Sequence, residues 1–295
     1  MTPPAVAVAL SEKLGERFED RARREVHGGS INRAFEYRGS RTSVFVKVSA
    51  SPDAKSMFAA EAAGLAALAR AQAVRVPRVV MSGAANEGAF LALEWVAFGP
   101  GSRMTDATLG EQLAWQHRVT HDRFGWERDN TIGSTPQRNT WCAEWTAFYR
   151  DYRLGAQLEL AARNHAEPVV LEEGWRLCDA LDAFFSDYRP APSLLHGDLW
   201  GGNWGADEDG MPVIFDPAVY YGDREADIAM TRLFGGFGPA FYAAYHSTWP
   251  LDAGASVREP LYNLYHVLNH YNLFGGGYLR QAATMIERLL AEVRA

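Results

Sequence analysis

The residues best able to do chemistry in this chain lie between positions 196 and 216. His196-Gly197-Asp198 ends a short apolar run, and Asn203 follows five residues after Asp198 across a glycine pair. The apolar stretch from Met211 to Phe215 then delivers a second acid, Asp216, in front of Pro217. One carboxylate placed to take a hydroxyl proton, with an amide and a second carboxylate to hold Mg2+, is a donor set suited to phosphoryl transfer from ATP. Taken singly, each of these residues is an ordinary turn former, because Asp and Asn beside glycine tolerate left-handed backbone. The ordered set carries the inference.

Such a set needs elements that bring phosphates to it. Gly28-Gly29-Ser30-Ile31-Asn32 forms a glycine-bearing turn that leads into an alternating strand ending near Tyr37. A second strand, Thr42 to Val48, follows a Gly39-Ser40 turn, so the two read as a hairpin. Glycines at such a turn let backbone N–H groups approach phosphate oxygens, although most glycine pairs only close hairpins. Lys47 sits between Val46 and Val48 on the second strand. Ser51-Pro52-Asp53 predicts a helix start, with Ser51 as the cap and Pro52 in the first helical position. On that helix Met57, Glu61, Leu65 and Leu68 share one face, which places Glu61 among buried neighbours. A carboxylate there is costly unless paired. Lys47 is the partner the pattern offers, and a Lys–Glu pair is how a lysine is steadied against ATP phosphates.

Two further strands, Val76 to Met81 and Phe90 to Val96, complete a small sheet, and Phe98-Gly99-Pro100-Gly101 breaks the chain after it. We therefore divide the sequence into an N-terminal lobe over 1–97 and a larger, mainly helical lobe over 98–295. In the second lobe, Thr105 or Asp106 caps a helix carrying Leu109 and Leu113. The stretch from Asp122 to Asn139 reads as a polar loop over a site. Trp141, Trp145, Phe148 and Tyr152 form a stripe at helical spacing that belongs to the core. Leu171 to Tyr188 reads as one helix, Asp227 lies inside another, and Asn263, His266, Asn269 and His270 put a polar face on a third. Asp227 suits either a brace behind the 196–203 segment or a helix surface. The histidine spacing suits a substrate cleft better than zinc, because no acidic base motif accompanies it.

Composition removes other classes. The 295 residues carry 29 basic and 36 acidic side chains, a net charge of −7, which argues against a nucleic-acid binder. Cys142 and Cys178 match no disulfide framework or metal spacing, so reduced cytosolic thiols are expected. No signal peptide and no run of about 20 apolar residues is evident. The expectation is a soluble, cytoplasmic monomer with no membrane or nucleic-acid partner.

The spacing from Asp198 to Asn203 is that of a protein-kinase catalytic loop, with HGD where such loops carry HRD, and Asp216-Pro217-Ala218 stands where DFG would. Over nearly its whole length the chain resembles the fructosamine kinase (ketosamine 3-kinase) family, within the aminoglycoside and choline phosphotransferase group. The narrowest matches are Asp129-Asn130-Thr131-Ile132-Gly133-Ser134-Thr135-Pro136-Gln137 and His196-Gly197-Asp198-Leu199-Trp200-Gly201-Gly202-Asn203, supported by Asn269-His270-Tyr271-Asn272. The resemblance implies an α+β, two-lobed protein-kinase-like fold, with a small antiparallel-sheet lobe and a larger helical one. It also implies ATP- and Mg2+-dependent phosphorylation of the 3-hydroxyl of a ketosamine, free or on a glycated protein, in deglycation repair.

Carried over residue by residue, the resemblance gives Asp198 the acceptor hydroxyl and Asn203 and Asp216 the metal. Lys47, steadied by Glu61, would neutralise the phosphates, while Gly28, Gly29, Ser30 and Asn32 would cover them. The connection near Glu94 and Val96 would read the adenine, and Trp200 and His270 would contact the substrate. Some relatives carry a redox-active Cys where this chain has Ser30, so a disulfide-switched dimer is not expected. An aminoglycoside- or choline-type acceptor is the sister reading. A silent pseudokinase is disfavoured by the intact Lys47, Glu61, Asp198, Asn203 and Asp216.

Overall fold

The computed structural model of the chain describes residues 6–26, 32–85 and 88–294. Its N-terminal part holds β1 (Arg24–Val26), β2 (Arg33–Arg38), β3 (Ser43–Ser49), β4 (Val79–Ala85) and β5 (Gly88–Glu94), arranged as one antiparallel sheet in the order β1-β2-β3-β5-β4. Side chains alternate between the faces of a strand, which separates Val44 and Val46 of β3 from Phe45 and Lys47. Val44 and Val46 pack with Phe35, Phe90 and with Leu10 of α1 (Val6–Leu14). Phe45 lies against Phe58 and Leu65 of α2 (Ala54–Ala71), together with Leu91 and Leu93. Parity along β3 therefore turns Lys47 toward α2.

Several boundaries differ from the sequence expectation. Ser51 Oγ does accept the Asp53 N–H at 3.3 Å, but the segment is a turn, and α-helical bonding begins only at Ala54. The strand expected from Val76 starts at Val79, since Pro77 has no N–H to give a ladder. Next along the chain come β6 (Phe98–Gly99) and α3 (Arg103–His117). The cap of α3 is Ser102, not Thr105 or Asp106; Thr105 instead fills the third helical position of a reciprocal capping box. The expected loop contains a hairpin, β7 (Asn130–Ile132) and β8 (Thr135–Gln137), turned at Gly133 with φ +61°. Then come α4 (Trp145–Tyr149), one π-helical turn (Arg150–Leu154), α5 (Gly155–Arg163) and α6 (Pro168–Asp179). The helix expected to reach Tyr188 stops at Asp179 and gives way to a 3-10 turn over Leu181–Phe185.

Two small sheets then frame the chemistry. In one, β9 (Ser193–Leu195) pairs with β12 (Tyr220–Gly222); in the other, β10 (Trp204–Asp207) pairs with both β11 (Pro212–Ile214) and β6. The connection from β9 to β10 carries residues 196–203, and that from β11 to β12 carries residues 215–219. Both reactive segments thus cross between the same two sheets and lie side by side. The chain closes with α7 (Glu225–Leu233), α8 (Pro239–Thr248), α9 (Ala255–Phe274) and α10 (Tyr278–Arg294). Arg75, after α2, joins the lobes: one guanidinium nitrogen reaches Glu94 at 2.6 Å, the other bonds Asp207, and its carbonyl accepts Ile214 N–H at 3.0 Å. Among the described residues no helix is long and apolar enough to cross a membrane.

Candidate active site

Lys47 Nζ donates to Glu61 Oε1 at 2.7 Å and to Asp216 Oδ1 at 2.6 Å. The first bond follows from β3 parity and the α2 stripe. The second spans 169 positions and closes the cleft between the lobes. Burial alone would lower the Lys47 pKa, but the charges of Asp216 and Glu61 outweigh it and hold the ammonium above its ordinary value. Lys47 is 7% exposed, so these carboxylates offset the cost of burying its charge.

The 196–203 segment is pinned to the 215–218 segment bond by bond. Gly197 has φ +82°, and a Cβ there would stand 2.1 Å from the Ala218 carbonyl oxygen, so only glycine permits the approach. Ala218 N–H donates to His196 O at 2.8 Å, and Phe215 N–H donates to Asn203 O at 2.9 Å. His196 Nδ1 accepts the Asp198 N–H at 3.3 Å. Its proton therefore sits on Nε2, which donates to Phe215 O at 2.9 Å. Burial lowers the pKa of this ring and keeps it neutral, so His196 orients the loop and does not move a proton.

Behind the loop, Asp227 accepts the N–H groups of His196 at 2.7 Å and Gly197 at 2.9 Å. Burial would raise Asp227, but the His117 ring at 3.0 Å and the backbone donors hold its carboxyl below the ordinary value. Of the two readings the sequence left open, the brace is the one seen. His117, which ends α3 beneath the Leu109 and Leu113 stripe, went unmarked in the sequence because a helix-terminal His has no pattern of its own.

Asp198 is half-buried at the floor of this arrangement. Burial first, then the charge of Asp216, push its carboxyl up to about 7. Asn203 Nδ2 donates to Asp198 O at 2.8 Å and to Asp198 Oδ2 at 3.2 Å. That leaves the Asn203 carbonyl oxygen, and Asp216 Oδ2 beyond its bond to Lys47, as oxygen ligands. Hard oxygen donors of this kind fit Mg2+, and Asp216 keeps 37% of its side-chain surface open.

The cleft has a volume of about 590 Å³, and Asn32, Lys47, Glu61, Asp198, Trp200, Asn203, Asp216 and His270 all lie along it. Gly28, Gly29 and Ser30 fall outside the described residues. Glu94 and Val96, whose backbone groups the resemblance assigns to the adenine, are not among the residues that line this cavity; the Glu94 carboxylate is bound to Arg75 at 2.6 Å and to the Arg78 N–H at 3.2 Å. Away from the Lys47 end the wall turns aromatic, with Trp200 edge-on to Phe234 at 6.3 Å and His270 against Phe234 at 4.7 Å and Tyr278 at 5.2 Å. His270 Nδ1 donates to His266 O at 2.8 Å, which fixes the ring against α9. Among the described residues no three His, Cys, Asp or Glu side chains gather as a metal site. The sequence reading missed Phe234, Phe274 and Tyr278, which are ordinary helix-end aromatics when read singly.

A sequence profile of the family described as fructosamine kinase matches residues 2–292. A probable ketoamine kinase of Synechocystis sp. is 44% identical over 289 residues, covering 97% of this chain and 96% of its own. The chloroplastic protein-ribulosamine 3-kinase of Arabidopsis thaliana is 44% identical over 273 residues, 92% of this chain and 83% of its own. A crystal structure from Thermobifida fusca, provisionally assigned as a fructosamine-3-kinase, superposes with a TM-score of 0.85 at 32% identity over 97% and 98% of the two chains. The aminoglycoside phosphotransferase APH(4)-Ia superposes with a TM-score of 0.64 at 16% identity over 98% and 97%, a likeness of fold alone. The cleft arrangement and these matches agree: the chain belongs to the fructosamine kinase family and has its two-lobed, protein-kinase-like fold.

Proposed function

We propose that this protein transfers the γ-phosphoryl group of ATP to the 3-hydroxyl of a ketosamine, a ketose joined to an amine by glycation, and so initiates release of the amine. The observation that carries the reading is Lys47 bonded at once to Glu61 and Asp216, with Asp198 and Asn203 on the adjoining segment. In the transfer, the 3-hydroxyl oxygen forms a bond to phosphorus as the bond to the ADP oxygen breaks, and Asp198 receives the hydroxyl proton. Lys47 offsets phosphate charge inside the cleft, where a fixed ammonium acts more strongly than in water. Asn203 and Asp216 would hold Mg2+, which would supply charge neutralisation and alignment of the phosphates. Asp227 and His196 do no chemistry; they hold the backbone that carries Asp198.

Support for the nucleotide comes from the same fold in APH(4)-Ia, solved as a ternary complex with ADP and hygromycin B. Support for the acceptor comes from the relatives named ketoamine and ribulosamine kinases. The deciding assay measures ADP release over a panel of ribulosamine, fructosamine, choline and aminoglycoside acceptors. Release on the ketosamines and none above background on the others is the expected result. Turnover confined to choline or an aminoglycoside would overturn the assignment while leaving the phosphotransfer chemistry in place.

A further inference from the structure

Arg153 is a buried charge that the reaction does not use. It is 0% exposed and sits in the single π-helical turn of the chain's described residues. Among those residues no carboxylate lies within ion-pair distance of it. Its guanidinium lies over the rings of Tyr220 at 3.9 Å and Phe148 at 4.6 Å. It donates to the carbonyls of Arg138 and Tyr152, both at 2.8 Å, and to Asn139 Oδ1 at 2.7 Å. Single π turns often mark functional positions, and this one starts a relay of buried amides.

The relay runs through the hairpin toward Asp216. Asn139 Nδ2 donates to Asn130 Oδ1 at 2.9 Å, and Asn130 Nδ2 donates to Val219 O at 2.8 Å. Gln137, directly across the hairpin from Asn130, donates to Asn130 Oδ1 at 2.8 Å and to Ala218 O at 3.2 Å. Gln137 Oε1 accepts the Tyr265 hydroxyl at 2.6 Å. A guanidinium can only donate. Arg153 therefore fixes Asn139 with its oxygen toward Arg153 and its nitrogen toward Asn130. That in turn fixes Asn130 with its nitrogen on Val219 O. The carbonyls of Arg128, Val219 and Ala218, which can only accept, demand the same orientations of Asn139, Asn130 and Gln137, so cation and backbone agree, and the relay ends on the two carbonyls that come after Asp216-Pro217.

Asp216 needs such support. It has φ +58°, left-handed backbone for a residue that carries a Cβ, and a conformation of that kind persists only where its surroundings over-determine it. Upstream, His196 and Asn203 hold Phe215. Downstream, Ala218 N–H is held by His196, but the Ala218 and Val219 carbonyls are held by Gln137 and Asn130. We propose that Arg153, Asn139, Asn130 and Gln137 are positioning residues for the metal-binding carboxylate of Asp216. On this account the 130–137 hairpin is a support built behind the metal site as well as a wall of the cleft.

The inference rests on the phosphotransferase reading, and one experiment separates the two. Gln137 is 2% exposed and absent from the cleft wall, so Gln137→Met removes both donor bonds at similar volume without touching bound substrate. Asn139→Ala, also buried and away from the cleft wall, is the second variant, should the first fail to fold. Binding of the ATP analogue AMP-PNP is followed by calorimetry at a series of Mg2+ concentrations, with thermal unfolding of the apoprotein alongside. Loss of an outer support of a metal ligand typically weakens metal affinity about 10–100-fold. The Mg2+ concentration for half-maximal nucleotide binding should therefore rise by about tenfold or more, with metal-free AMP-PNP affinity unchanged. An unchanged Mg2+ midpoint, or an equal loss of metal-free binding and Tm, overturns the positioning role. Failure of the unmodified protein to bind AMP-PNP in a Mg2+-dependent way would instead overturn the phosphotransferase reading.

Discussion

The two ends of the cleft are built on different principles. At the Lys47 end, charged and polar groups bind one another: Glu61 and Asp216 hold Lys47, Asn203 holds Asp198, and Asp227 holds the loop beneath. At the other end the wall is Trp200, Phe234, His270, Phe274 and Tyr278, and the exposures of Trp200 (39%), Phe234 (40%) and Phe274 (55%) leave ring surface free. Interlocked ions fix geometry, because moving one leaves another buried and unpaired. The exposed rings at the other end are fixed by no such ion pairs and offer apolar surface on which an acceptor can pack. On the proposed reading, the chemistry belongs to the rigid end and the choice of acceptor to the aromatic end.

Substitutions at the two ends should therefore separate in kind. Asp198→Asn strikes the rigid end and is expected to lower kcat by about 10²–10⁴-fold, the range for losing a proton acceptor, with AMP-PNP binding retained by calorimetry. Loss of Mg2+-nucleotide binding in that variant would move Asp198 out of the acceptor role. Trp200→Ala strikes the aromatic end. It should raise the acceptor KM about tenfold, as about 1.4 kcal/mol of ring contact is lost, with the KM for ATP unmoved. Equal changes in both constants would erase the division between the ends.

Acidity sharpens the same comparison. Asp198 can take the hydroxyl proton only when ionised, and its carboxyl stands at about 7. The kcat/KM profile should therefore rise with pH to a single inflection near that value and fall tenfold per unit below it. A flat profile between pH 5 and 8 would remove Asp198 as the proton acceptor. A smaller effect falls on stability. A carboxyl raised from its ordinary 3.8 favours the folded state at low pH, and that stability is lost as pH rises through about 7. Asp198→Asn apoprotein should then melt above the unmodified protein at pH 8 by about 2–4 °C, with the gap vanishing below pH 4. A gap that widens on acidification would contradict the sign.

Much of the rigid end was readable before the fold was known, because its signals are periodic or ordered. Lys47 follows from alternation on a strand and Glu61 from helical spacing, while the ordered set from His196 to Asp216 brings its own register. The supports behind it left no such trace. Asn130, Gln137 and Asn139 read as loop polarity, since burial of an amide relay is decided by tertiary contacts that a short hairpin does not announce. Arg153 was hidden by a change of phase. The stripe Trp141, Trp145, Phe148, Tyr152 assumes an unbroken α-helix, but the π turn over Arg150–Leu154 inserts a residue, rotating the downstream side chains by about 100°. Arg153 is buried as a result, and Tyr152 is only half-buried. The cap of α3 moved for a different reason: Ser102 and Thr105 cap each other, and the sequence reading weighed only Thr105 and Asp106.

The central claim is that this cleft esterifies a ketosamine hydroxyl. Phosphorus NMR of the protein incubated with ATP, Mg2+ and a ribulosamine tests it most directly. The account predicts a phosphomonoester on the 3-oxygen of the sugar growing in step with ADP, and the same signal growing at least about a hundredfold more slowly with Asp198→Asn. ADP formed without a sugar phosphate, or the ester formed at the unmodified rate by the Asp198→Asn protein, would contradict it.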